Sequence, residues 1–404
     1  MLGAGLAGAS VALDLAGRGV PVILLERDPL AFSRASLRNE GKIHLGLIYA
    51  NDASLATAAL QLRGALQFSS LLRGWLGPAA TASLRPSRPF HYVVADDSLL
   101  SPARLETHYD AVQRLYDAML RQQPQVDYLG TRPARLSTRV DPGSLRRYLS
   151  VDRLAAVFET AELALDTAQL AALFRDAIRQ HPRIDFRPGH RVASVTPTDT
   201  GHRVAGDGPA GPWHVDSRQV VNCLWEERRR IDRSAGIEPG AGWVHRLKYR
   251  VIARLPEALR QGPSVTMVLG PYGDVVVRED GTAYFSWYPS ALRGWSHELM
   301  PPAHWDAACR GELPGELAAS LANEVLGAID AWYPGARLSE ALIVDAGAIV
   351  GYGKTDVDDP ASGLHDRSRV GVESNGGYHS LDPGKLTTAP LFAREAAERV
   401  LARA

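Results

Sequence analysis

The sequence is poor in cysteine and has no excess of charge of either sign. Its 404 residues include two cysteines, Cys223 and Cys309, whose spacing matches neither a disulfide framework nor a zinc motif. Free thiols suit a reducing compartment, so we expect a cytoplasmic protein. Because the cysteines lack metal-ligand spacing, we also expect no metal site. Lysine and arginine total 45, as do aspartate and glutamate, so the net charge is zero. This balance gives no indication of a nucleic-acid partner.

Long apolar runs and repeats are lacking as well. No run approaches the ~18 apolar residues that a membrane-spanning helix needs, so we predict no integral membrane segment. The chain has neither an internal repeat nor a low-complexity tract. With 45% hydrophobic and 22% charged residues, the composition is that of a globular protein, and the length suffices for two domains.

A glycine-rich loop stands at the beginning of the sequence. Gly3, Gly5 and Gly8 form a G-x-G-x-x-G pattern that runs into a helix-forming segment of small residues. In a dinucleotide-binding fold, the first glycine permits a tight turn and the second lets the backbone approach a pyrophosphate. The third glycine lets the helix pack closely on the sheet. The N-terminus of the helix, with Leu6 and Ala7, then faces the phosphate charge.

The segment after this helix completes the pattern. An apolar strand over residues 20–25 ends at Glu26, where a carboxylate can accept hydrogen bonds from the ribose hydroxyls of an adenosine. Loop, helix, strand and acid in this order predict a dinucleotide site. Only Met1 and Leu2 precede the loop, whereas a strand normally has about five residues, so we expect the natural chain to start further upstream.

Two further features carry a resemblance to a known family. Residues 39–49 read N-x-G-x-I-H-x-G-x-x-Y, and residues 54–75 follow the three-four spacing of a long amphipathic helix. With the opening loop and the acid after the second strand, they resemble the FAD-dependent D-amino-acid oxidase superfamily. Residues 39–49 are most similar to its L-2-hydroxyglutarate oxidase branch. The resemblance implies a flavoprotein oxidoreductase with FAD as its cofactor.

The same resemblance implies an α/β fold class, α+β overall. A Rossmann-like FAD-binding domain would combine with a discontinuous, mainly antiparallel β-sheet substrate domain. Strand and helix patterns place the FAD-binding domain at residues 1–80, 150–232 and 340–404, and the substrate domain at residues 81–149 and 233–339. Residues 226–230 form a mixed charge run that we expect to be a solvated surface.

By resemblance, the cofactor contacts extend beyond the loop and Glu26. The segment at residues 39–49 passes close to the flavin in related families, some of which attach the flavin covalently to a histidine there. A core histidine bonded to backbone is the alternative for His44. The chain would also close its FAD-binding domain with a glycine-rich turn and a helix whose N-terminus stabilises reduced flavin. The predicted contacts beyond Glu26 are Arg27, Asn39, Lys42, His44, Val192, Asn222, Gly377, Tyr378, Leu386 and Thr387.

The chemistry of such an enzyme is hydride removal from a carbon that bears an amine or a hydroxyl, which a nearby base assists. Amino-acid oxidases of the superfamily carry an Arg-Pro pair near the position of Gly347 that clamps the substrate carboxylate. This sequence has Ala348 and Ile349 there, so we expect a small-molecule substrate that is not a simple amino acid. The candidate bases are His44, Tyr352 and His379, and the candidate anion-binding residues are Lys248, Arg250 and Lys354.

Two other functions stay open. A flavin monooxygenase of the aromatic-hydroxylase type would carry a Gly-Asp pair late in the chain, whereas Gly273-Asp274 lies in a predicted hairpin. A flavin-binding assembly or sensor protein would bind FAD without redox turnover. The electron acceptor, which could be oxygen, a quinone or another protein, and the oligomeric state stay open as well.

Overall fold

The helices and strands of the chain are given by a computed structural model that describes residues 1–403. Within these residues ten α-helices form: α1 (Leu6–Gly17), α2 (Ala56–Leu76), α3 (Pro78–Ala82), α4 (Pro102–Gln122), α5 (Thr167–Gln180), α6 (Arg228–Ser234), α7 (Tyr288–Ala291), α8 (Trp305–Arg310), α9 (Gly315–Asp330) and α10 (Ala389–Leu401). The first ten of nineteen strands in the same residues are β1 (Val22–Leu25), β2 (Lys42–Ile43), β3 (Phe90–Ala95), β4 (Ser137–Val140), β5 (Leu154–Thr160), β6 (Leu163–Ala164), β7 (Ile184–Arg187), β8 (Arg191–Thr198), β9 (Gly201–Gly208) and β10 (Gly211–Ser217). The remaining strands are β11 (Val220–Asn222), β12 (Trp243–Arg254), β13 (Ser264–Val268), β14 (Gly273–Val277), β15 (Thr282–Trp287), β16 (Leu292–Ser296), β17 (Glu340–Tyr352), β18 (Gly371–Asn375) and β19 (Tyr378–Asp382).

A parallel arrangement of short strands surrounds the glycine-rich loop. β1 pairs in parallel with β7, and β11 pairs in parallel with β19. Leu2 makes parallel bridges to both Leu25 and Asn222, so it lies between β1 and β11. α1 packs on α10 and β1, and all of its residues except the last are buried. Its small side chains suit this two-sided burial, as in a Rossmann-like domain.

A second, larger sheet faces this domain. Its strand order is β16-β12-β15-β14-β13-β3-β5-β4, with β17 paired to β12 along nearly its whole length. All pairs are antiparallel except β13 with β3. α9 covers this sheet with the buried side chains of Leu321, Val325 and Ile329. The mixed α/β fold class with a mainly antiparallel second sheet is therefore confirmed.

Strand pairing differs from the expected domain boundaries in two places. β5 lies between β3 and β4, and β17 pairs with β12, so both strands belong to the large sheet. The domain boundaries expected from the sequence place both strands in the FAD-binding domain. Apolar alternation identifies a strand but does not say which sheet completes its hydrogen bonds, since that depends on partners far away in the chain.

Side-chain caps stabilise the beginning of two helices. Ser101 caps α4 by accepting a hydrogen bond from the amide of Arg104, and Asp166 caps α5 by accepting from the amide of Ala168. β9 and β10 form an antiparallel hairpin. Across residues 1–403, no helix combines the length and apolar character that crossing a membrane requires.

Candidate functional site

One long cavity runs between the glycine-rich loop and the large sheet. The space between its walls amounts to about 1590 Å³, including its open mouth. One end is lined by Gly3, Gly5 and Glu26, and the other by Lys248 and Tyr288. The cavity is therefore continuous from the loop to the large sheet.

The loop has the geometry of a phosphate cradle. Gly3 has a φ of +85°, a conformation that L side chains rarely adopt. A Cβ at Gly8 would lie 1.9 Å from the carbonyl oxygen of Gly3, so only glycine permits this contact between helix and loop. The first amides of α1 have no partner within the helix, and Leu6 N–H donates to Ser36 Oγ at 2.9 Å. Ala7 lines the cavity, so this positive helix end suits an anionic pyrophosphate.

The carboxylate of Glu26 is held in place beside the loop. Its Oε2 accepts a hydrogen bond from the amide of Ala4 at 2.8 Å, and its Oε1 accepts one from the amide of Asp28 at 3.1 Å. Burial raises the pKa of Glu26, although these amides and Arg27 act in the opposite direction. The remaining lone pairs are available in the cavity, where ribose hydroxyls could donate to them.

An acidic pair beyond β11 also lines this end of the cavity. Arg27 forms ion pairs with both Glu226 and Glu227. Burial would raise the pKa of Glu227, but Arg27 and Arg230 hold it below its ordinary range. The expectation of a solvated surface at residues 226–230 is therefore wrong, because residues 226–229 are buried. Ion pairs join Glu226 and Glu227 to Arg27, and Arg228 to Asp382. Arg229 instead stacks on the rings of Trp243 and Tyr352.

The loop before α2 brings a second set of polar side chains into the cavity. Asn39 braces this loop, since its amide group donates to the carbonyls of Ala35 and Ser36 at 2.9 Å. Lys42 Nζ lies 2.8 Å from Asp274 Oδ1. Burial would raise the pKa of Asp274, but Lys42 holds it well below its ordinary range. Lys42 is thus neutralised within the protein.

His44 lies in the cavity beside a wholly buried carboxylate. Its backbone amide donates to Thr387 Oγ1 at 2.9 Å, and its Nδ1 lies 3.6 Å from Glu162 Oε1. Glu162 Oε1 accepts the amide of Leu45 at 2.6 Å, and Oε2 accepts the hydroxyl of Tyr92. Burial would raise the pKa of Glu162, but His44 together with the nearby lysine holds it below its ordinary range. No motif marks Glu162 within its short segment.

Three cations line the cavity near Glu40. They are Lys248 on β12, Arg367 before β18 and Lys385 before α10. Burial would raise the pKa of Glu40, but Lys248 and Lys385 hold it below its ordinary range. Lys248 Nζ also lies 4.3 Å from the centroid of the Tyr288 ring. Arg367 and Lys385 were not predicted, because neither belongs to a motif.

The cavity brings together most of the predicted site residues. Those that line it are Gly3, Gly5, Leu6, Ala7, Glu26, Arg27, Asn39, Lys42, His44, Val192, Lys248 and Leu386. Gly8 and Thr387 do not line the cavity themselves. Gly8 allows α1 to pack against the loop, and Thr387 accepts a hydrogen bond from the amide of His44. The predicted residues that do not line it are Asn222, Arg250, Tyr352, Lys354, Gly377, Tyr378 and His379.

Asn222, Gly377 and Tyr378 were predicted to contact the cofactor but do not line the cavity. Tyr378 donates its hydroxyl hydrogen to Asp232 Oδ1 at 2.8 Å, and Asn222 donates to the Tyr378 oxygen at the same distance. A Cβ at Gly377 would meet the carbonyl oxygen of Arg218 at 2.1 Å, so this glycine serves close backbone packing. The cavity wall is formed instead by the turn that follows β19, at residues 383–386.

Two of the three candidate bases, His379 and Tyr352, lie outside the cavity. His379 hydrogen-bonds Gln219 at 2.9 Å and Ser374 at 2.8 Å, away from the cavity. Burial and nearby arginines lower its pKa to about 4. The ring of Tyr352 lies 5.0 Å from the guanidinium carbon of Arg229. Both side chains are therefore part of the protein's own packing.

Two predicted anion-binding residues are also placed elsewhere. Arg250 is buried in a two-point ion pair with Asp345, with distances of 2.6 and 3.2 Å, and its Nη1 donates to the carbonyl of Leu37 at 2.7 Å. Its hydrogen-bonding capacity is used within the protein. Lys354 is exposed beyond the end of β17. Lys248 alone of the three predicted cations lines the cavity.

These features define a dinucleotide-binding α/β protein whose cleft is covered by an antiparallel sheet. The chain matches the family described as FAD dependent oxidoreductase (DAO) over residues 2–399. The chain therefore belongs to this family, it is an FAD-dependent oxidoreductase, and its cofactor is FAD. The glycine loop, the first amides of α1 and Glu26 fit the pyrophosphate and ribose of that cofactor. The finer assignment to the L-2-hydroxyglutarate oxidase branch stays a prediction.

Solved structures of several flavoenzymes are similar to this chain. Glycine oxidase from Geobacillus kaustophilus is 14% identical with a TM-score of 0.67, covering 98% of this chain and 93% of that one. Iminodiacetate oxidase from Chelativorans sp. BNC1 is 19% identical with a TM-score of 0.64, covering 100% and 95%. L-alpha-glycerophosphate oxidase from Mycoplasma pneumoniae, with FAD bound, is 15% identical with a TM-score of 0.63, covering 99% and 93%. A comparison with curated protein sequences gives no match.

Proposed function

We propose that the protein oxidises a small molecule by removing a hydride from a carbon that bears an amine or a hydroxyl. The observation that carries this proposal is the continuous cavity, which joins the dinucleotide loop to a polar pocket beside His44 and Lys248. When bound, FAD supplies the two-electron acceptor for such a reaction. The residues of the chain have to bind the substrate, exclude water and handle one proton.

His44 is the proposed proton acceptor. An alcohol or ammonium group must lose a proton as the hydride leaves, and an imidazole within hydrogen-bond reach accelerates that step. Glu162, 3.6 Å from Nδ1 of His44, would stabilise the imidazolium that forms. The hydrogen bond from the His44 amide to Thr387 keeps the loop in place while the proton moves.

Lys248 is the proposed contact for an acidic group of the substrate. The wall formed by Ala348 and Ile349 has no guanidinium of its own, so the carboxylate clamp expected for a simple amino acid is missing from that strand. We therefore propose a substrate other than a simple amino acid. The related structures include an iminodiacetate oxidase and a glycerophosphate oxidase, which shows that this fold can serve such substrates in other proteins.

Anaerobic mixing of the FAD-loaded protein with amines, 2-hydroxy acids and phosphate esters tests this proposal. We expect at least one compound to bleach the oxidised-flavin absorbance, and the variant His44→Asn to slow bleaching by about 10²-fold or more. The matched control is His91→Asn, which alters a histidine outside the cavity. Failure of every compound to reduce bound FAD would contradict the proposal and favour a protein without redox turnover. A hydroxylated product with external NADPH would favour a monooxygenase.

A further inference from the structure

Glu40 lines the cavity but is not among the contacts predicted from the sequence. It alternates with Lys42 and His44 along the extended segment around β2, and all three side chains line the cavity. The other two already have partners, since Lys42 lies 2.8 Å from Asp274 and His44 lies 3.6 Å from Glu162. The role of Glu40 is therefore the open question in this segment.

The carboxylate of Glu40 has no hydrogen-bond donor from the protein within residues 1–403. The nearest basic nitrogen in these residues is His44 Nε2, 3.9 Å from Oε1, and the side chain is 21% exposed. Burial would raise the pKa of Glu40, but Lys248 and Lys385 hold it below its ordinary range. The group is thus ionised and can only accept hydrogen bonds. A partly buried carboxylate is unfavourable without donors, so a ligand group that donates would stabilise it.

Two lysines line the cavity on other walls near Glu40. Lys248 projects from β12, and Lys385 lies in the turn before α10. Burial would lower the pKa of Lys248, but neighbouring tyrosines together with Glu40 and Asp274 raise it. Burial lowers the pKa of Lys385, and Glu40 acts in the opposite direction. The pocket therefore presents an acceptor and donors on different walls, without direct ion pairs between them in the part of the chain that the structure describes.

The space between Glu40 and Lys385 sets a chemical requirement for its occupant. A carboxylate accepts only and would be repelled by Glu40, whereas an ammonium group donates only and would be repelled by Lys385. A hydroxyl or a carboxamide is neutral and does both, so it can donate to the carboxylate and accept from the ammonium group. The facing charges thus favour a neutral group with both capacities.

We propose that the cavity contains a binding subsite for such a group, held between Glu40 and Lys385. This inference rests on the proposed function, because the group belongs to the substrate whose acidic part contacts Lys248 and whose reacting carbon lies beside His44. The substrate then carries a hydroxyl or a carboxamide in addition to these two parts. Glu40 and Lys385 determine specificity, since an analogue without this group leaves both of them unpaired.

Matched probes with a single negative charge test the subsite without turnover. The hydroxy acids 3-hydroxypropionate, 4-hydroxybutyrate and 5-hydroxyvalerate are titrated against butyrate, valerate and hexanoate, in which a methyl group replaces the hydroxyl. Succinamate is titrated against 4-methylvalerate, which replaces the carboxamide. Binding to the FAD-loaded enzyme is followed anaerobically by the difference spectrum of oxidised flavin. We expect at least one polar probe to bind about tenfold or more tightly than its methyl isostere, and the better series identifies the group.

Variants assign the preference to the named residues. Glu40→Met and Lys385→Met should each reduce it to about threefold or less, whereas Glu40→Gln keeps an acceptor oxygen and should retain more of it than Glu40→Met. The two methionine substitutions should not be additive, since one ligand group contacts both side chains. Glu373→Met is the matched control, because it removes an exposed carboxylate of β18 outside the cavity, and it should leave the preference unchanged.

Two results would overturn the inference. One is that no polar probe binds better than its methyl isostere while the flavin spectrum shows FAD in place, as expected if water alone fills the space. The other is that the preference persists in Glu40→Met and Lys385→Met. Anaerobic reduction is measured on the same samples, so failure of the proposed function is recognised separately: a protein that discriminates between the probes but is reduced by no compound would support the subsite alone.

Discussion

The substitution Gly8→Ala should lower the stability of the fold and the affinity for FAD, because the added Cβ would clash with the backbone of the glycine-rich loop. The added Cβ would lie 1.9 Å from the carbonyl oxygen of Gly3 and 3.2 Å from the Cβ of Cys223. Real Cβ atoms essentially never approach another heavy atom within 3.0 Å, so α1 or the loop must move by about an ångström. Gly3 is itself held at a φ of +85°, so displacing its carbonyl alters the phosphate cradle directly.

The size of the effect follows from the cost of overpacking. Inserting a methyl group into a filled interior typically costs about 1–3 kcal/mol, and this contact with backbone falls at the upper end. With 404 residues and an unfolding entropy of ~2.1 cal/mol/K per residue, a loss of ~3 kcal/mol lowers Tm by roughly 4 °C. The affinity for FAD should fall by about tenfold or more.

Gly17→Ala is the matched control, because Gly17 ends the same helix. A Cβ there would meet nothing within 4 Å, so alanine should be neutral or stabilising by up to about 1 kcal/mol. Thermal melts with and without added FAD, and FAD retained after desalting, measure both effects. If Gly8→Ala retains stoichiometric FAD and melts at the same temperature as Gly17→Ala, the description of this contact is refuted.

Four further outcomes follow from the site. Glu26→Gln should weaken FAD binding about tenfold, since it removes the charge from the ribose acceptor, and unchanged affinity in an FAD titration would contradict that role. Glu162→Gln should slow flavin reduction by about tenfold, because a neutral amide stabilises the imidazolium formed during proton transfer less than a carboxylate does; an unchanged rate would rule out the assignment. Arg250→Met should lower the free energy of unfolding by about 3 kcal/mol with little change in substrate binding, and denaturant unfolding beside a KM measurement separates these. The pKa of Asp274 is lowered in the folded state, so its stabilisation is present above pH ~4 and is lost as pH falls further; Asp274→Asn should flatten the dependence of Tm on pH in that range.

The parts of the site that the sequence predicted are those that depend on short-range patterns. Gly3, Gly5 and Gly8 lie within one turn, and Glu26 follows at a spacing that the strand and helix lengths determine. These patterns are local, so they can be recognised without knowledge of the tertiary structure.

The parts that were missed depend on side chains far apart in the chain. Glu227 belongs to a charged run that predicts solvent exposure, yet it is buried in an ion pair with Arg27, 200 residues earlier. Tyr378 lies next to a glycine-rich turn, yet its hydroxyl binds Asp232 on another element. Lys385 belongs to no motif, and only the turn before α10 brings it into the cavity. Sequence spacing does not indicate which of these long-range partners is available.

The visible absorbance spectrum of the purified protein, recorded after addition of FAD and desalting, decides whether the cavity binds FAD. We expect oxidised-flavin bands at one FAD per chain, released into the supernatant by acid precipitation unless His44 holds the flavin covalently. A protein that stays colourless and takes up no FAD, although it is folded, would contradict both the assigned cofactor and the role of the cavity.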